Sequence, residues 1–349
     1  MNRNLVFFKK KRMHAYIKAI SYFLPEKVFT NEDFFHVFPD SVSHKESYTR
    51  IGVNERRVVE KSVTASDLAT DAASALFREH HIQPSEIDFL LFCALEFDYA
   101  FPASVSIIQE KLGLPVSCGA VDYSLGCSGY VYGLGMAKGL VESVGCRNVL
   151  LLTSSTLTKQ IHSKDRSSRF IFGDGAAATL ISSREDKAGM SSFVFGTDGK
   201  LADRIIIRDG GARNPLSETS FIERENEHGN ITADANFYMD GAAVFHFGLK
   251  TVPRMIDELL SKEKLNISDI DLFVFHQANL FLIDTIRAKM QIPEDKVFNF
   301  MGKVGNTVAA TIPITLYEAI KAGKARPGQK ILVAGFGVGF SSAATIVEL

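Results

Sequence analysis

The 349-residue chain has no tryptophan, four cysteines and ten prolines, and its 39 basic and 40 acidic side chains leave a net charge of −1. With no charge excess, there is no overall electrostatic reason to expect nucleic acid or an anionic membrane surface as partner. Cys93, Cys118, Cys127 and Cys146 form no CxxC pair and are too sparse for a disulfide scaffold or a zinc site. A reducing cytoplasm suits such cysteines best. Long apolar runs are scarce as well. The longest uncharged stretch, residues 331–347, carries the glycines of GFGVG and then two serines, which read as two strands and a turn rather than a membrane helix. The N-terminal MNRNLVFFKKKRM is basic, but its four-residue apolar run is too short for a signal-peptide core. Met13 can serve as an alternative start, with residues 1–12 a loosely held extension.

What is present is enough apolar residue, 46% against 23% charged, to bury a large core in two domain-sized units. Apolar strand patterns at 87–93, 148–153, 177–182, 272–275 and 331–334 alternate with helical patterns at 65–80, 129–144, 244–260, 280–290 and 309–322. This alternation predicts an α/β fold. The charged string ERENEH at 223–228 reads as a solvated loop. SEIDFLLFCA (85–94) and SDIDLFVFHQ (268–277) match in pattern 183 residues apart, and NVLLLTSS (148–155) pairs with KILVAGFG (330–337) at nearly the same offset. We therefore expect a duplication: one half at 13–185 and another at 186–349, with the break near SSREDKAGM (182–190).

Cys127 lies where a short apolar strand gives way to a helix rich in small residues. A thiol at a helix N-terminus faces free N–H groups and the positive end of the dipole, which favour thiolate and nucleophilic reactivity. Duplication supplies its company. His276 ends a buried strand of the second half, at the carboxyl edge where catalytic groups of α/β sheets emerge. Asn306 falls where the repeat places the counterpart of Cys127, and it is expected to begin the pseudo-symmetric helix as its cap. If the two central helices face one another, Cys127, His276 and Asn306 converge. Two glycine-rich strings are set aside: GDGAAA (173–178) precedes a strand where a dinucleotide fingerprint needs a helix, and GFGVG lacks the Lys-Ser/Thr pair of a phosphate loop. The Gly129, Gly133, Ala137 spacing reads as close helix packing.

RIGVNERR (50–57), DYSLGCSGY (122–130), DRSSRFIFGDGAAATL (165–180), HQAN (276–279), GNTVAATIP (305–313) and the terminal GFGVGF follow one another in an order and spacing that resembles the β-ketoacyl-acyl carrier protein synthase III family of the thiolase superfamily. The resemblance covers nearly everything after Met13. It implies a five-layer αβαβα thiolase fold with Cys127, His276 and Asn306 at its centre, and a homodimer in which Phe101 reaches the partner's acyl pocket. It also implies that Cys127 takes an acyl group from coenzyme A or an acyl carrier. The backbone N–H of Cys127 and the Val338–Gly339 turn would then form the oxyanion hole. His276 and Asn306 would stabilise the enolate formed when malonyl-acyl carrier protein loses carbon dioxide. Arg50, Arg166, Phe245 and Asn279 are implied as substrate-binding residues, and Lys289 and Arg287 as carrier-docking ones. No cofactor is implied beyond the coenzyme A thioester as substrate, and no metal.

The chain departs from the family at three positions. Glu46 stands where many members stack a tryptophan on the adenine, Phe281 where a docking arginine follows HQANL, and His246 where a docking lysine is usual. These changes point to an altered donor or carrier. An acyltransferase passing the acyl group to an alcohol or amine remains an alternative, and a non-catalytic subunit of a condensing complex a more distant one.

Overall fold

In the computed structural model, described for residues 13–187, 189–226 and 229–349, two sheets enclose a central helical layer. The first sheet runs in the order His14–Phe23, Gly175–Arg184, Asn148–Ser155, Phe89–Ala94, Gly119–Ser124, with its last three strands parallel. The second runs Leu272–Phe275, Lys330–Gly337, Ser341–Glu348, Met190–Thr197, with only the first pair parallel. Between them lie the helices Gly129–Gly139 and Thr311–Lys321, each touching strands of both sheets. Helices Ala65–Glu79 and Ser104–Leu112 cover the outer face of the first sheet, and Gly241–Glu263 and Leu280–Lys289 that of the second. The arrangement is the five-layer αβαβα sandwich of the thiolase fold.

The strand sequences explain the layering. Leu90, Phe92, Leu150 and Leu152 point outward to the Ala65–Glu79 helix, while Leu91, Val149 and Leu151 point inward to Tyr130 and Leu134. In the second sheet Phe273, Phe275, Leu332 and Phe336 face outward, and Leu272, Val274, Ile331 and Val333 face the same central core. Strands buried on both faces must be apolar at every position, which is why they read as continuous runs. The Ala65–Glu79 helix starts at a capping box: the Asp67 N–H donates to Thr64 Oγ1 at 3.2 Å, and the Thr64 N–H donates to Asp67 Oδ2 at 2.9 Å. Close packing accounts for the small residues of the central helix. A Cβ on Gly133 would come within 2.3 Å of Tyr123 Oη and 2.6 Å of Leu151 Cδ1.

Several boundaries differ from the sequence expectations. The 129–144 helix is α-helical only to Gly139, and its last turn, Leu140–Val144, is a π-turn ending at Gly145 with φ 96°. The outer helix is longer than 244–260 because the Asp240 carboxylate accepts from the Ala243 N–H at 2.9 Å and starts it at Gly241. The expected loop at 223–228 contains the exposed strand Arg224–Glu225, paired with Ile231–Thr232; residues 227 and 228 lie outside the described residues, as do residues 1–12. The strand His14–Phe23 escaped the sequence patterns because polar Lys18 and Ser21 interrupt its apolar run. No described helix is long and apolar enough to cross a membrane.

Candidate active site

Cys127, His276 and Asn306 line one cavity of about 140 Å³ bordered by the outer helices Gly241–Glu263 and Leu280–Lys289, walled largely by Phe172, Phe237, Val244, Phe336 and other apolar side chains. Each of the three arrives by a different local route. The turn after Gly119–Ser124 delivers Cys127, one residue before the N-cap Ser128. His276 follows directly on the strand Leu272–Phe275, and its backbone N–H donates to the Ala334 carbonyl at 2.8 Å. Asn306 is held by its N–H donating to the Ile171 carbonyl at 2.9 Å.

Asn306 does not begin the α-helix as expected. A 3₁₀ turn, Val308–Ala310, intervenes, and the helix itself starts at Thr311. The Asn306 Oδ1 instead accepts from the Val308 N–H at 2.9 Å. With the carbonyl end of its amide committed, the NH₂ end is the one left to act as a donor.

The electrostatics also revise one expectation. Burial pushes the Cys127 thiol up to about 12, against the lowering pull of the Val338 and Cys127 backbone N–H groups. The helix N-terminus therefore does not make a standing thiolate in this nearly closed site, where Cys127 is 9% exposed. Burial likewise pushes His276 down to about 3, with the Val308 carbonyl pulling the other way, so the ring is neutral at physiological pH. His276 Nδ1 lies 2.7 Å from Thr311 Oγ1, a partner that the sequence reading passed over although it stands in GNTVAAT.

The wall nearest the sulfur admits no side chain. A Cβ at Gly337 would sit 2.7 Å from Cys127 Sγ and 2.8 Å from its Cβ. We predict that Gly337→Ala displaces the sulfur and slows its acylation by about 10- to 100-fold, read by time-resolved mass spectrometry of the intact protein, while circular dichroism stays native. Gly337 and Val338 border the cavity; Gly339 does not, although its φ of 134° belongs to the same glycine-dependent turn.

The remaining expected site residues divide. Phe245 and Asn279 line the cavity, and the Asn279 Oδ1 also caps the following helix by accepting from the Leu282 N–H at 2.8 Å. Phe281 lines it too: its ring stacks on Phe245 with centroids 5.5 Å apart, and the Arg50 guanidinium lies over the Phe281 ring, 5.7 Å from its centroid. Arg50 thus reaches the mouth through Phe281, a wall residue that the sequence registers only as a missing arginine. Arg166, at the start of the short helix Arg166–Ile171, is not among the lining residues. Phe101 is 86% exposed and does not line the cavity. Lys289 Nζ donates to the Leu249 carbonyl at 2.8 Å, and Arg287 Nη1 to the Ile292 carbonyl at 3.4 Å, so both expected docking cations have internal partners. His246 is exposed, its Nδ1 3.2 Å from the Ala242 carbonyl.

Beyond the thiol, a larger chamber of about 540 Å³ shares Leu95, Leu157, Ile205, Phe237 and Val338 with the inner cavity. Glu96 lies on its wall. Burial, and then the charge of Asp174, push the Glu96 carboxyl up to about 7. Its Oε1 accepts from Ser155 Oγ at 3.3 Å, and its Oε2 has no hydrogen-bond partner. A carboxyl that ionises later in the folded chain than in the unfolded one favours folding at low pH; that stability is lost as pH rises from the ordinary carboxylate range through about 7. Glu96→Gln should remove this slope and raise stability at pH 8 by roughly 1–3 kcal/mol, measured as urea midpoints between pH 5 and 8.

Family models described as 3-oxoacyl-[acyl-carrier-protein] synthase III and its C-terminal part match residues 121–199 and 260–349. The chain is 34% identical to a beta-ketoacyl-[acyl-carrier-protein] synthase III of Caldanaerobacter subterraneus subsp. tengcongensis, covering 97% of this chain and 98% of that one. It is 33% identical to the synthase of the same name from Fusobacterium nucleatum subsp. nucleatum, covering 95% and 98%. A crystal structure of a 3-oxoacyl-(acyl-carrier-protein) synthase III superposes with a TM-score of 0.94 at 42% identity, over 96% of this chain and all of that one. With the same fold along almost the whole length and a cysteine, a histidine and an asparagine meeting at its centre, the chain belongs to the beta-ketoacyl-[acyl-carrier-protein] synthase III family, acyltransferases that act as condensing enzymes in fatty acid biosynthesis.

Proposed function

We propose that Cys127 carries the acyl group in this condensation and that His276 and Asn306 serve the decarboxylating half. The observation that carries the reading is the meeting of all three, each nearly buried, in one apolar cavity. In the first half-reaction the sulfur attacks the thioester carbonyl, an S–C bond forms, and the bond to the departing thiol breaks. The thiol proton leaves Cys127 and ends on that departing thiolate. The N–H groups that already point at the sulfur, those of Cys127 and Val338, are near enough to receive the oxyanion, with Gly339 giving the turn its shape. In the second half-reaction His276 Nε2 and the Asn306 NH₂ donate to the malonyl thioester carbonyl. The C–C bond to the carboxylate breaks, its electron pair forms the enolate, and the enolate attacks the acyl-Cys127 carbonyl. Cys127 leaves as thiolate and regains its proton from water. A neutral histidine suits this role, because it donates a hydrogen bond without surrendering a proton.

In the same reading the donor is a coenzyme A or carrier thioester, the acceptor is malonyl-acyl carrier protein, no cofactor takes part, and the chain works in the cytoplasm. Phe245, Phe281, Asn279 and Arg50 at the mouth of the cavity would guide the thioester arm, and Arg166 would contact the nucleotide. Carrier docking through Lys289 and Arg287 would require each to exchange its internal partner for the carrier. The chain divides near residues 185–186 into two duplicated halves, each supplying one sheet and one central helix. Tyr99, Phe101 and Val116, at 64%, 86% and 101% exposure, are apolar side chains that a second copy of the chain would cover. Sedimentation should therefore give a dimer, and Phe101→Glu a monomer.

The test of the central proposal is intact mass spectrometry after incubation with acyl-coenzyme A donors of graded chain length and their carrier-bound equivalents. An adduct of the acyl mass on Cys127 supports it; its absence with every donor sinks it.

A further inference from the structure

Two groups act on His276: Thr311 Oγ1, 2.7 Å from Nδ1, and the Val308 carbonyl, whose influence on the ring has been described. They differ in one respect. A carbonyl oxygen can only accept a hydrogen bond, whereas a hydroxyl can accept or donate. Thr311 Oγ1 also lies 2.9 Å from the Val308 carbonyl, so its single proton can point either to that carbonyl or to the ring. In the first arrangement Nδ1 carries the ring proton and gives it to Thr311, and Nε2 presents a lone pair to the cavity. In the second, Thr311 donates to Nδ1, and the ring proton sits on Nε2.

Only the second arrangement lets Nε2 donate to a thioester carbonyl. In the first, the Nε2 lone pair would face the carbonyl oxygen and repel it. The choice cannot be avoided by protonating both nitrogens, because burial keeps the ring neutral. Solvent offers no alternative, since His276 is 1% exposed and Thr311 1% exposed. Without the hydroxyl, Nδ1 loses the one donor that can meet its lone pair, and nothing then holds the ring proton on Nε2.

We propose that Thr311 is a positioning residue, whose hydroxyl, 2.7 Å from Nδ1, lets His276 hold its proton on Nε2 and so donate to the malonyl thioester carbonyl during decarboxylation. This rests on the roles given above to His276 and Asn306. It assigns Thr311 no contact with substrate; the residue acts through the ring. No proton is gained or lost overall: the ring keeps one, the hydroxyl keeps one, and only their placement changes.

The experiment compares Thr311→Val, which keeps the shape and removes the hydroxyl, with Thr311→Ser, which keeps the hydroxyl. Two half-reactions are read separately: acylation of Cys127 by intact mass, and carbon dioxide release from malonyl-acyl carrier protein. A third reading is the ¹⁵N shifts of His276 in labelled protein, which distinguish the tautomers. Thr311→Val should leave acylation within about threefold of wild type, lower decarboxylation by about 10- to 100-fold and move the ring toward Nδ1–H. Thr311→Ser should restore both. Unimpaired decarboxylation in Thr311→Val, equal loss of both half-reactions, or a serine variant as impaired as the valine one overturns the proposal. A wild-type chain that forms no adduct or releases no carbon dioxide instead overturns the roles of Cys127 and His276 themselves. The nitrogen shifts still decide the tautomer in that case, and an unchanged tautomer in Thr311→Val refutes the assignment independently.

Discussion

Cys127→Ala should abolish both the acyl adduct and condensation, with a loss of at least about 10⁴-fold, in line with removal of a catalytic nucleophile elsewhere. No neighbouring thiol is placed to rescue it. Cys93 is completely buried, and its sulfur donates to the Leu125 carbonyl at 3.1 Å; Cys118 and Cys146 do not border the cavity. Burial pushes Cys93 up to about 12 as well, but the sulfur would meet a Cβ on Gly129 at 2.3 Å, so it has no room for an acyl group. Intact mass and product formation together check the prediction. Residual condensation above one part in a thousand would mean that the acyl group is held elsewhere. The raised thiol adds a pH signature. If Cys127 reacts as its thiolate without a base, acylation should rise about tenfold per pH unit from pH 6 to 9, because the ionised fraction rises tenfold per unit below a value of about 12. A flat profile would indicate that a base relieves the sulfur of its proton within the bound complex.

His276→Ala and Asn306→Ala should separate the two halves of the reaction. Each removes one donor from the site of the developing enolate, and loss of a single such donor costs about 10²- to 10³-fold. Acylation should persist, because neither side chain is needed to place the thioester carbonyl against the Cys127 and Val338 N–H groups. The double variant should lose little more than either single one if the two donors bind one oxygen. Carbon dioxide release checks the first claim, and adduct mass the second. If His276→Ala suppressed adduct formation as severely as Cys127→Ala, the pair would be working as a thiol–imidazole couple of the hydrolase type. Since burial holds His276 near 3, its titration should leave no acid limb in the decarboxylation profile above about pH 5.

Much of this was legible in residue order. Strands such as Leu272–Phe275 stood out because burial on both faces demands an apolar residue at every step, and the repeat at 183 residues pointed to two similar halves. Cys127, His276 and Asn306 were legible because glycines and small residues flank them in strings that recur at fixed spacing. The thiol's ionisation was not, since a helix end speaks for thiolate locally while burial, which overrides it, comes from Phe172, Phe237 and Phe336 in distant parts of the chain. Thr311 was overlooked for a similar reason: a threonine at a helix start has an ordinary explanation, and only the ring brought beside it from residue 276 gives it another. Phe281 registered as a lost arginine, and its contacts with Phe245 and Arg50 could be seen only once two helices and a loop were in place.

The second sheet reaches across to the nucleophile's own backbone. A Cβ on Gly335 would stand 2.7 Å from the Cys127 carbonyl oxygen and 2.7 Å from Ser128 Cα. The strand from the second half therefore acts as the mould against which the nucleophile's turn is cast. The reactive sulfur is a shared possession: a fragment ending near residue 185 would contain Cys127 but lack the surface that shapes it, and a fragment beginning there would have a histidine and an asparagine with nothing to act upon. Any nick, hinge or evolutionary drift that loosens one half against the other would silence the site without touching a catalytic side chain.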